Sequence, residues 1–286
     1  MEKLKNGDDN FADLHVHTNL SDGILSPEEV VEHALQEGLK AISITDHDAV
    51  DAVDPCIFFA EDKEIEIIPG VELSSENGER EVHILGYYLD HKDRDFLKIL
   101  SILQDSREER MDGMISLLKK KGMDVTREKV FGSNSSGSIG RLHLARILKE
   151  EGFVKSLSEA FDRYIGEGKD CHVKHQRLDY KGAIYSIRKA GGVPTLAHPG
   201  VSCKEEDIKL YADAGLKGIE VYHPKHKPAE NRRYLDLAQK YGLLVTGGSD
   251  CHGGKNKKSM LLGTVRVDRG RVEALRAESE RIKDKG

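Results

Sequence analysis

The chain has 286 residues, of which 38% are hydrophobic and 33% are charged, and its formal net charge at pH 7 is −6. This length fits one large α/β domain or a barrel with an insertion, and the negative charge differs from that of non-specific nucleic-acid binders, which are usually basic. Because the sequence has no apolar run of about 18 residues, no signal-peptide pattern in residues 1–10 and only scattered cysteines, we expect a cytoplasmic protein without a membrane association.

Strand and helix patterns alternate in the first third of the chain. Short apolar runs predict strands over 11–16, 41–45, 65–74 and 81–89. Ser26 is a good N-cap for the first helix, since Pro27 follows it and Glu29 can close a capping box, and this helix is expected to end near Gly38. A second helix is predicted over 50–63. Alternation of this kind is typical of a mainly parallel sheet.

The alternation stops in the middle of the chain. Apolar residues recur at helical spacing from Phe96 to Leu118, and Gly122 is expected to end that long helix. A loop rich in Gly, Ser and Asn is predicted over 130–140, followed by helices over 141–151 and 156–165. We therefore predict an inserted helical subdomain over 93–175, projecting over the barrel mouth, with the barrel itself formed by 11–92 and 176–286.

The alternation resumes after Gly192. Strands are predicted over 193–197, 216–222, 243–247 and 262–267, and helices near 204–214, 229–241 and 270–283. In a βα barrel the active site lies at the carboxyl ends of the strands. Polar residues fall at or just past several predicted strand ends, namely His15, His47, Glu72, His198, His223 and Asp250. This coincidence predicts one shared site.

Nine side chains in these positions are candidate metal ligands: His15, His17, Asp22, His47, Glu72, His83, His198, Asp250 and His252. His15 and His17 lie two apart on a strand, so their imidazoles share one side, and Asp250 and His252 repeat this spacing. Glu72 has two oxygens and could bridge two ions. Mixed imidazole and carboxylate ligation suits manganese, zinc or iron without deciding among them. We expect two or three divalent ions.

Two further carboxylate residues, at predicted strands, lie next to these candidate ligands in the sequence. Asp13 and Asp46 could orient ligating histidines or make ordinary hydrogen bonds at strand ends. Paired ions about 3.5–4 Å apart lower the pKa of a water between them and bind the oxygens of a phosphoryl centre. The sequence has neither a G-x-S-x-G elbow nor a P-loop. The pattern predicts a metal-dependent hydrolase.

Cationic and hydrogen-bonding residues for a phosphate substrate are also present. Arg141 and His143 open a predicted helix, whose N-terminus would favour an anion. Arg107 and Arg110 share one helix face and could reach the mouth or pair with Glu108 or Asp112. His223 could bind phosphate, protonate a leaving oxygen, or only support the site. We predict Asp250 and His223 as catalytic residues, and Arg107, Arg110, Arg141, His143 and His223 as substrate-binding residues.

Six segments resemble the PHP (polymerase and histidinol phosphatase) family, which is similar to the amidohydrolase barrels: DLHVHT, TDHD, PGVELS, HILGYY, AHPG and GSDCHG. The resemblance implies a distorted seven-stranded (β/α) barrel with an inserted helical subdomain and a trinuclear metal site. It further implies three ligand sets, which are His15, His17, Glu72 and Asp250 for one ion, Glu72, His83 and His198 for a second, and Asp22, His47 and His252 for a third.

The insertion resembles one bacterial subgroup of this family. The matching segments are GRLHLAR at 140–146 and EAFDRYIG at 159–166. Members act as 3′,5′-nucleoside bisphosphate phosphatases, and related ones as 5′-to-3′ exoribonucleases on 5′-monophosphate ends. The resemblance implies that insertion residues hold the 5′-phosphate while the 3′-phosphate meets the metals. Residues 169–173 depart from the Pro-Ala-Tyr type segment of the subgroup, which leaves the base or substrate preference open.

The leading hypothesis is therefore a phosphoesterase that removes the 3′-phosphate of nucleoside 3′,5′-bisphosphates, with trimming of short 5′-phosphorylated RNA as a related activity. The alternatives are a histidinol-phosphate phosphatase, another small-molecule phosphatase, or a non-catalytic PHP partner module. Such modules commonly lose ligands, whereas this chain lacks none of the nine. We expect a small phosphorylated nucleotide as substrate and no obligate protein partner.

Overall fold

The computed structural model describes residues 10–78, 80–132, 137–254 and 260–285. The strands are β1 Phe11–Val16, β2 Ala41–Ile44, β3 Glu66–Asn77, β4 Arg80–Tyr87, β5 Leu178–Asp179, β6 Val193–Leu196, β7 Gly218–Tyr222, β8 Leu244–Gly247 and β9 Val267–Asp268. The helices are α1 Pro27–Gln36, α2 Val53–Ala60, α3 Arg94–Lys120, α4 Arg127–Gly132, α5 Arg141–Glu150, α6 Leu157–Ala160 with a π-helical turn over Phe161–Ile165, α7 Tyr180–Lys189, α8 Pro199–Ser202, α9 Asp207–Asp213, α10 Pro228–Tyr241 and α11 Arg269–Lys283.

The strands form one sheet that curls into a nearly closed barrel. Their order is β8-β7-β6-β4-β3-β2-β1-β9, and β5 pairs with β3. The sheet closes on itself between the end of β1 and the segment after β8. There Val16 and Cys251 form a parallel bridge, and the His17 N–H donates to the Cys251 carbonyl at 3.0 Å. This mixed α/β barrel confirms the predicted fold class.

Two strands run opposite to the others, β4 within the wall of the barrel and β9 at one end of the sheet. β4 pairs antiparallel with both β3 and β6, whereas β1, β2 and β3 pair in parallel, as do β6, β7 and β8. A short connection at Gly78, whose φ is +64°, turns β3 back on itself, so β4 must return antiparallel. His83, near the start of β4, thereby lies at the same edge as the carboxyl ends of the other strands.

Helix α1 shows how local sequence fixes the elements around the barrel. The Ser26 side chain accepts from the Glu29 N–H, and the Glu29 carboxylate accepts from the Ser26 N–H, which completes the predicted capping box. Three buried side chains of α1, Val30, Val31 and Ala34, join the main core between the sheet and its helices. Each fully buried valine stabilises the fold by about 1.5–3 kcal/mol relative to an exposed one.

The helices between β4 and β5 build a second core. Met111, Met114 and Leu118 of α3 pack in one cluster with Leu144 and Leu148 of α5. Within the described residues of this region, 94–132 and 137–175, the structure has helices and no strand, in line with the pattern of the sequence. The division of the chain at residues 92 and 175 stays a prediction.

Some local predictions were wrong. The predicted loop over 130–140 begins as the end of α4, and residues 133–136 lie outside the described ranges. Of the predicted strand 262–267 only Val267 lies in a strand, because Gly263, with φ +73°, turns the chain and donates its N–H to Asp13. Helices α7 and α8 were not predicted. None of the helices in the described ranges is both long and apolar enough to span a membrane, and the cytoplasmic location stays a prediction.

Candidate metal centre and anion pocket

All nine candidate ligands meet at one edge of the barrel. β1 carries His15, β3 carries Glu72 and β4 carries His83. The segments after β1, β2, β6 and β8 carry His17 with Asp22, His47, His198, and Asp250 with His252. His47 forms an isolated bridge with Glu72, which ties the end of β2 to β3. The parallel strands place these ends together, and the reversed β4 adds His83.

The Glu72 carboxylate lies at the centre of this group and is only 1% exposed. Its two oxygens contact five imidazoles, with Oε2 at 3.3 Å from Nε2 of His15 and of His17 and 3.1 Å from Nδ1 of His47, and Oε1 at 2.8 Å from Nδ1 of His83 and 2.9 Å from Nε2 of His198. One carboxylate can therefore bridge neighbouring ions, as its two oxygens suggested.

The distances around His15 and His17 fit the cage of a metal ion. Asp250 Oδ1 lies 3.5 Å from His15 Nε2 and 3.3 Å from His17 Nε2, and Glu72 Oε2 lies 3.3 Å from both nitrogens. Two ligands at about 2.1 Å from one tetrahedral ion stand about 3.4 Å apart. Both Nε2 atoms and Glu72 Oε2 are buried without a hydrogen-bond partner. These orphaned atoms and their spacing fit a divalent ion.

Two further groups of ligand atoms adjoin this cage. His17, Asp22, His47 and His252 form one, and His47, Glu72 and His83 form the other, each with its ligand atoms within 4.8 Å of one another. The groups share members, so ions bound in them would be neighbours. His198 contacts Glu72 beside His83, and its Nδ1 has no hydrogen-bond partner. The assignment of each residue to one ion stays a prediction.

Opposite charges stabilise the ionised state of these groups. Burial raises the pKa of the Glu72 carboxyl, but His47 and His83 outweigh burial and hold it well below its usual value. Burial lowers the pKa of His17, but the carboxylates of Asp250 and Glu72, each 3.3 Å from its Nε2, outweigh burial and raise the pKa to about 10. The pKa of His83 also reaches about 10, because Glu72 and Glu81 outweigh its burial. Without ions, protons on these imidazoles balance the carboxylates.

Asp13 and Asp46 anchor the loops of the site through hydrogen bonds to the chain around it. Asp13 accepts from the N–H groups of Ser249 and Gly263, both at 2.8 Å. Asp46 accepts from the N–H and hydroxyl of Thr18, both at 2.7 Å. The second of the two sequence-based alternatives, hydrogen bonding at strand ends, thus describes them.

A buried glutamate that was not singled out from the sequence also contacts the cluster. Glu220 in β7 has Oε1 at 3.0 Å from Nδ1 of His15, and its Oε2 accepts from the His198 N–H at 2.8 Å. The only sequence signal was one acidic residue within the apolar run of β7, where an inward position is costly without partners.

A cavity of about 180 Å³ opens beside the candidate ligands. It is lined by Asp22, His47, Glu81, His83, Arg107, Arg110, Gly140, Arg141, Leu142 and Phe161. The cavity thus joins three candidate metal ligands to three arginines. An anionic substrate could therefore contact both.

The three arginines of the cavity differ in their partners. Arg107 is bound to the barrel, with Nε 2.6 Å from Asp48 Oδ2 and one terminal nitrogen 2.6 Å from Ser74 Oγ. Arg110 is 3% exposed, contacts His175 Nδ1 at 3.0 Å, and its Nε has no hydrogen-bond partner. Burial and the neighbouring Arg107 and Arg141 hold the pKa of Arg110 well below its usual value. An anion bound beside Arg110 would offset the unfavourable energy of burying its charge next to two other arginines.

Neither of the alternative partners proposed for Arg107 and Arg110 is used, since Glu108 and Asp112 both pair with Arg127. Arg141 contacts Glu81 Oε2 at 3.1 Å, and Arg177, which sequence reasoning missed, contacts the same oxygen at 2.8 Å. In the described part of the chain, Arg110 is the cavity arginine without a carboxylate partner.

The remaining predicted substrate residues, His143 and His223, are not among the residues that line the cavity. His143 is buried and its Nδ1 accepts from the Gly140 N–H at 3.1 Å, so it caps α5. His223 Nε2 lies 3.3 Å from Asp250 Oδ2. In the segment 169–173, Cys171 packs into the second core and Asp170 pairs with Lys121. Cys171 and Asp170 thus contact the helical region between β4 and β5.

This chain is similar to known proteins both in sequence and in structure. The family model of the PHP domain matches residues 13–171, and that of the PHP-associated region matches 228–254. A 5′-3′ exoribonuclease of Haemophilus influenzae is 35% identical over 84% of this chain and 89% of that protein. A 3′,5′-nucleoside bisphosphate phosphatase of Chromobacterium violaceum is 31% identical over 84% of this chain and 86% of that protein. A crystal structure from Bifidobacterium adolescentis, named for a metal-dependent phosphoesterase, has a TM-score of 0.87 and 27% identity over 93% of this chain and 96% of that one.

Proposed function

Because the chain belongs to the PHP family and is a phosphoesterase, we propose that it removes the 3′-phosphate from nucleoside 3′,5′-bisphosphates. One observation carries this proposal: a single cavity joins candidate metal ligands to a buried arginine that has no carboxylate partner. A substrate with two phosphates would place one group at each end. A substrate with a single phosphate would leave Arg110 uncompensated.

The nine candidate ligands would hold two or three divalent ions of manganese, zinc or iron. Their donor set of imidazoles and carboxylates suits these metals. A divalent ion bound there supplies a water of lowered pKa and positive charge for the phosphoryl oxygens.

The protein's own side chains would orient the substrate and deliver a proton. Arg110 and Arg141 bind the phosphate that does not react, through charge-assisted hydrogen bonds. His223 Nε2, which lies beside Asp250, holds the proton that the departing 3′-oxygen takes up, and Asp250 Oδ2 keeps this imidazole oriented. His143 supports the phosphate pocket indirectly, by fixing the start of the helix that carries Arg141.

Glu81 sets the selectivity of the pocket for a second anion. Its Oε2 accepts from both Arg141 and Arg177, so an incoming phosphate competes with it for those donors. A doubly ionised phosphate offers more charge and more acceptor oxygens than the carboxylate, and it also binds Arg110. Ligands without a second anionic group are disfavoured by the same competition.

Trimming of short 5′-phosphorylated RNA is a second candidate activity, and it rests on the similarity to the exoribonuclease of Haemophilus influenzae. In that case the 5′-phosphate of the terminal nucleotide would occupy the arginine end of the cavity, and the bond to the next nucleotide would meet the ligand cluster. The first product would be a nucleoside monophosphate.

The test is phosphate release from adenosine 3′,5′-bisphosphate with added Mn²⁺, beside a chelator control. We expect metal-dependent release of the 3′-phosphate, and slower release from histidinol phosphate. A 5′-phosphorylated RNA is assayed in parallel for mononucleotide release. Faster turnover of histidinol phosphate, or no release from the bisphosphate by protein that contains metal, would contradict the proposed substrate.

A further inference from the structure

Glu220 makes contacts that join two parts of the candidate metal centre. It is fully buried in β7, and its two carboxylate oxygens each have a different partner. Oε1 faces Nδ1 of His15 at 3.0 Å, and Oε2 accepts from the backbone N–H of His198 at 2.8 Å. It lies in none of the three groups of ligand atoms described above.

The contact with His15 determines which imidazole nitrogen can bind an ion. A carboxylate accepts hydrogen bonds, so Nδ1 of His15 must carry the proton. Nε2 is then free to offer its lone pair, and it faces Glu72 Oε2 and Asp250 Oδ1 at 3.3 and 3.5 Å. A partner on one imidazole nitrogen commonly fixes the tautomer of a metal-binding histidine in this way.

The contact with His198 fixes a strained backbone. His198 has φ +28° and ψ +59°, a conformation that residues with a Cβ rarely adopt. The bond from its N–H to Glu220 stabilises this conformation, which aims Nε2 at Glu72 Oε1 at 2.9 Å. Strain of this kind persists where surrounding contacts enforce it.

We propose that Glu220 is a positioning residue that organises ligands of two neighbouring ions at once, through the tautomer of His15 and the backbone of His198. This inference rests on the proposed metal centre. The third group, which comprises His17, Asp22, His47 and His252, does not include either partner of Glu220. Loss of Glu220 would therefore weaken part of the centre and spare the rest.

The variant Glu220→Gln tests this directly, because an amide has the same shape but only one acceptor oxygen. If that oxygen accepts from the His198 N–H, the amide NH₂ faces His15 and forces the proton onto Nε2. If the amide is flipped, its NH₂ meets the His198 N–H instead. One of the two contacts is lost in either orientation.

The experiment measures the number and affinity of bound Zn²⁺ and Co²⁺ ions in wild type and Glu220→Gln, with the visible spectrum of the Co²⁺ protein as a second readout. We expect at least one ion fewer, or affinity about 10–100-fold weaker, and a changed spectrum. Glu230→Gln is the matched control, since Glu230 caps α10 directly after β7 and contacts the Lys227 N–H. Unchanged stoichiometry, affinity and spectrum in Glu220→Gln would overturn this inference and leave the proposed function standing.

A measurement on wild-type protein covers the case in which Glu220→Gln does not fold. Nitrogen-15 NMR of the Zn²⁺-loaded chain reports the tautomer of His15. A proton on Nδ1 and none on Nε2 is expected, and the reverse would overturn the inference while leaving the metal centre intact. Failure of the wild type to bind any divalent ion would instead overturn the proposed function, and this inference with it.

Discussion

Among the side chains that the structure describes, Glu72 contacts the largest share of the candidate metal ligands. Its carboxylate is buried in the middle of β3 and faces imidazoles from four other segments of the chain. The surrounding positive charge keeps it ionised despite its burial. At the residue scale, the site therefore depends more on this carboxylate than on any one histidine.

Glu72→Gln should lose bound metal and phosphoesterase activity. The amide nitrogen of glutamine cannot ligate an ion or accept from an imidazole, so one of the two bridging oxygens is lost. Since changes to residues behind the ligands already cost about 10–100-fold, we expect a fall of about 100-fold or more in kcat/KM. Metal analysis and kinetics with added Mn²⁺ check this. Glu66→Gln, on the same strand but bound to Tyr88 and Arg276, is the control and should remain active.

The pH dependence of stability should differ between metal-free and metal-loaded protein. The pKa values of His17 and His83 are raised to about 10 in the folded chain, against about 6.5 when unfolded. A raised pKa contributes stability that is present below the unfolded value and is lost as pH rises through the folded value. The melting temperature of metal-free protein should therefore fall between pH 7 and 10.

Metal-loaded protein should lose less stability over this range, because its ligand imidazoles are already neutral. Thermal unfolding at several pH values, with and without Zn²⁺, makes the comparison. Parallel curves for the two forms would contradict the assignment of these histidines to the metal centre.

At the scale of elements, helix α3 carries two buried arginines with opposite roles. Arg107 ties the helix to the barrel through Asp48, whereas Arg110, one turn further on, contacts Nδ1 of His175 and lines the cavity. Their spacing in the sequence placed both on one face, but it could not distinguish these environments. The difference arises because Arg107 meets Asp48 in the loop after β2, whereas Arg110 meets His175 in the segment before β5.

The pair Arg107→Met and Arg110→Met separates stability from substrate binding. Arg107→Met leaves Asp48 buried without its charge partner and should lower the free energy of unfolding by about 3–5 kcal/mol. Arg110→Met removes a buried charge that has no carboxylate partner, so stability should be unchanged or higher. Its KM for adenosine 3′,5′-bisphosphate should rise about 10–100-fold, the equivalent of about 1.5–3 kcal/mol for a hydrogen bond to a charged group.

Chemical denaturation and steady-state kinetics on both variants provide the measurement. Each variant serves as the control for the other, because both remove one guanidinium from the same helix. A large loss of stability in Arg110→Met with an unchanged KM would show that Arg110 supports the fold and does not bind substrate.

Most elements were predictable because apolar runs and caps are local signals. The strands that carry His15 and Glu72, and the strand that precedes His198, lie within a few residues of their predicted positions. The direction of β4 was not predictable, since strand direction follows from pairing with β3 and β6, and a run of apolar residues has no direction. The role of Glu220 was missed for a related reason. Its two hydrogen-bond partners lie 205 and 22 residues away in the chain, so no local pattern shows these contacts.

At the scale of the whole molecule, bound ions would connect strands on opposite sides of the barrel. A ligand that binds only the folded state stabilises it by about 2.7 kcal/mol at 100 times its Kd. Adding Zn²⁺ or Mn²⁺ to chelated protein should therefore raise the melting temperature by roughly 5–10 °C, given about 2–4 °C per kcal/mol for larger domains. Scanning fluorimetry before and after metal addition measures the shift. A melting temperature that does not respond to any divalent ion would exclude a centre that bridges the strands.

The barrel closes through contacts between its two chain ends, where the His17 N–H meets the Cys251 carbonyl and Asp13 binds the N–H groups of Ser249 and Gly263. During translation, the amino-terminal residues emerge first and must wait for these partners. A growing or prematurely terminated polypeptide that lacks Asp250 and His252 has neither the last ligands nor the closing bridge. Phosphoesterase activity is thus withheld until residues 250–252 have been synthesised, because the group of candidate ligands is incomplete before then.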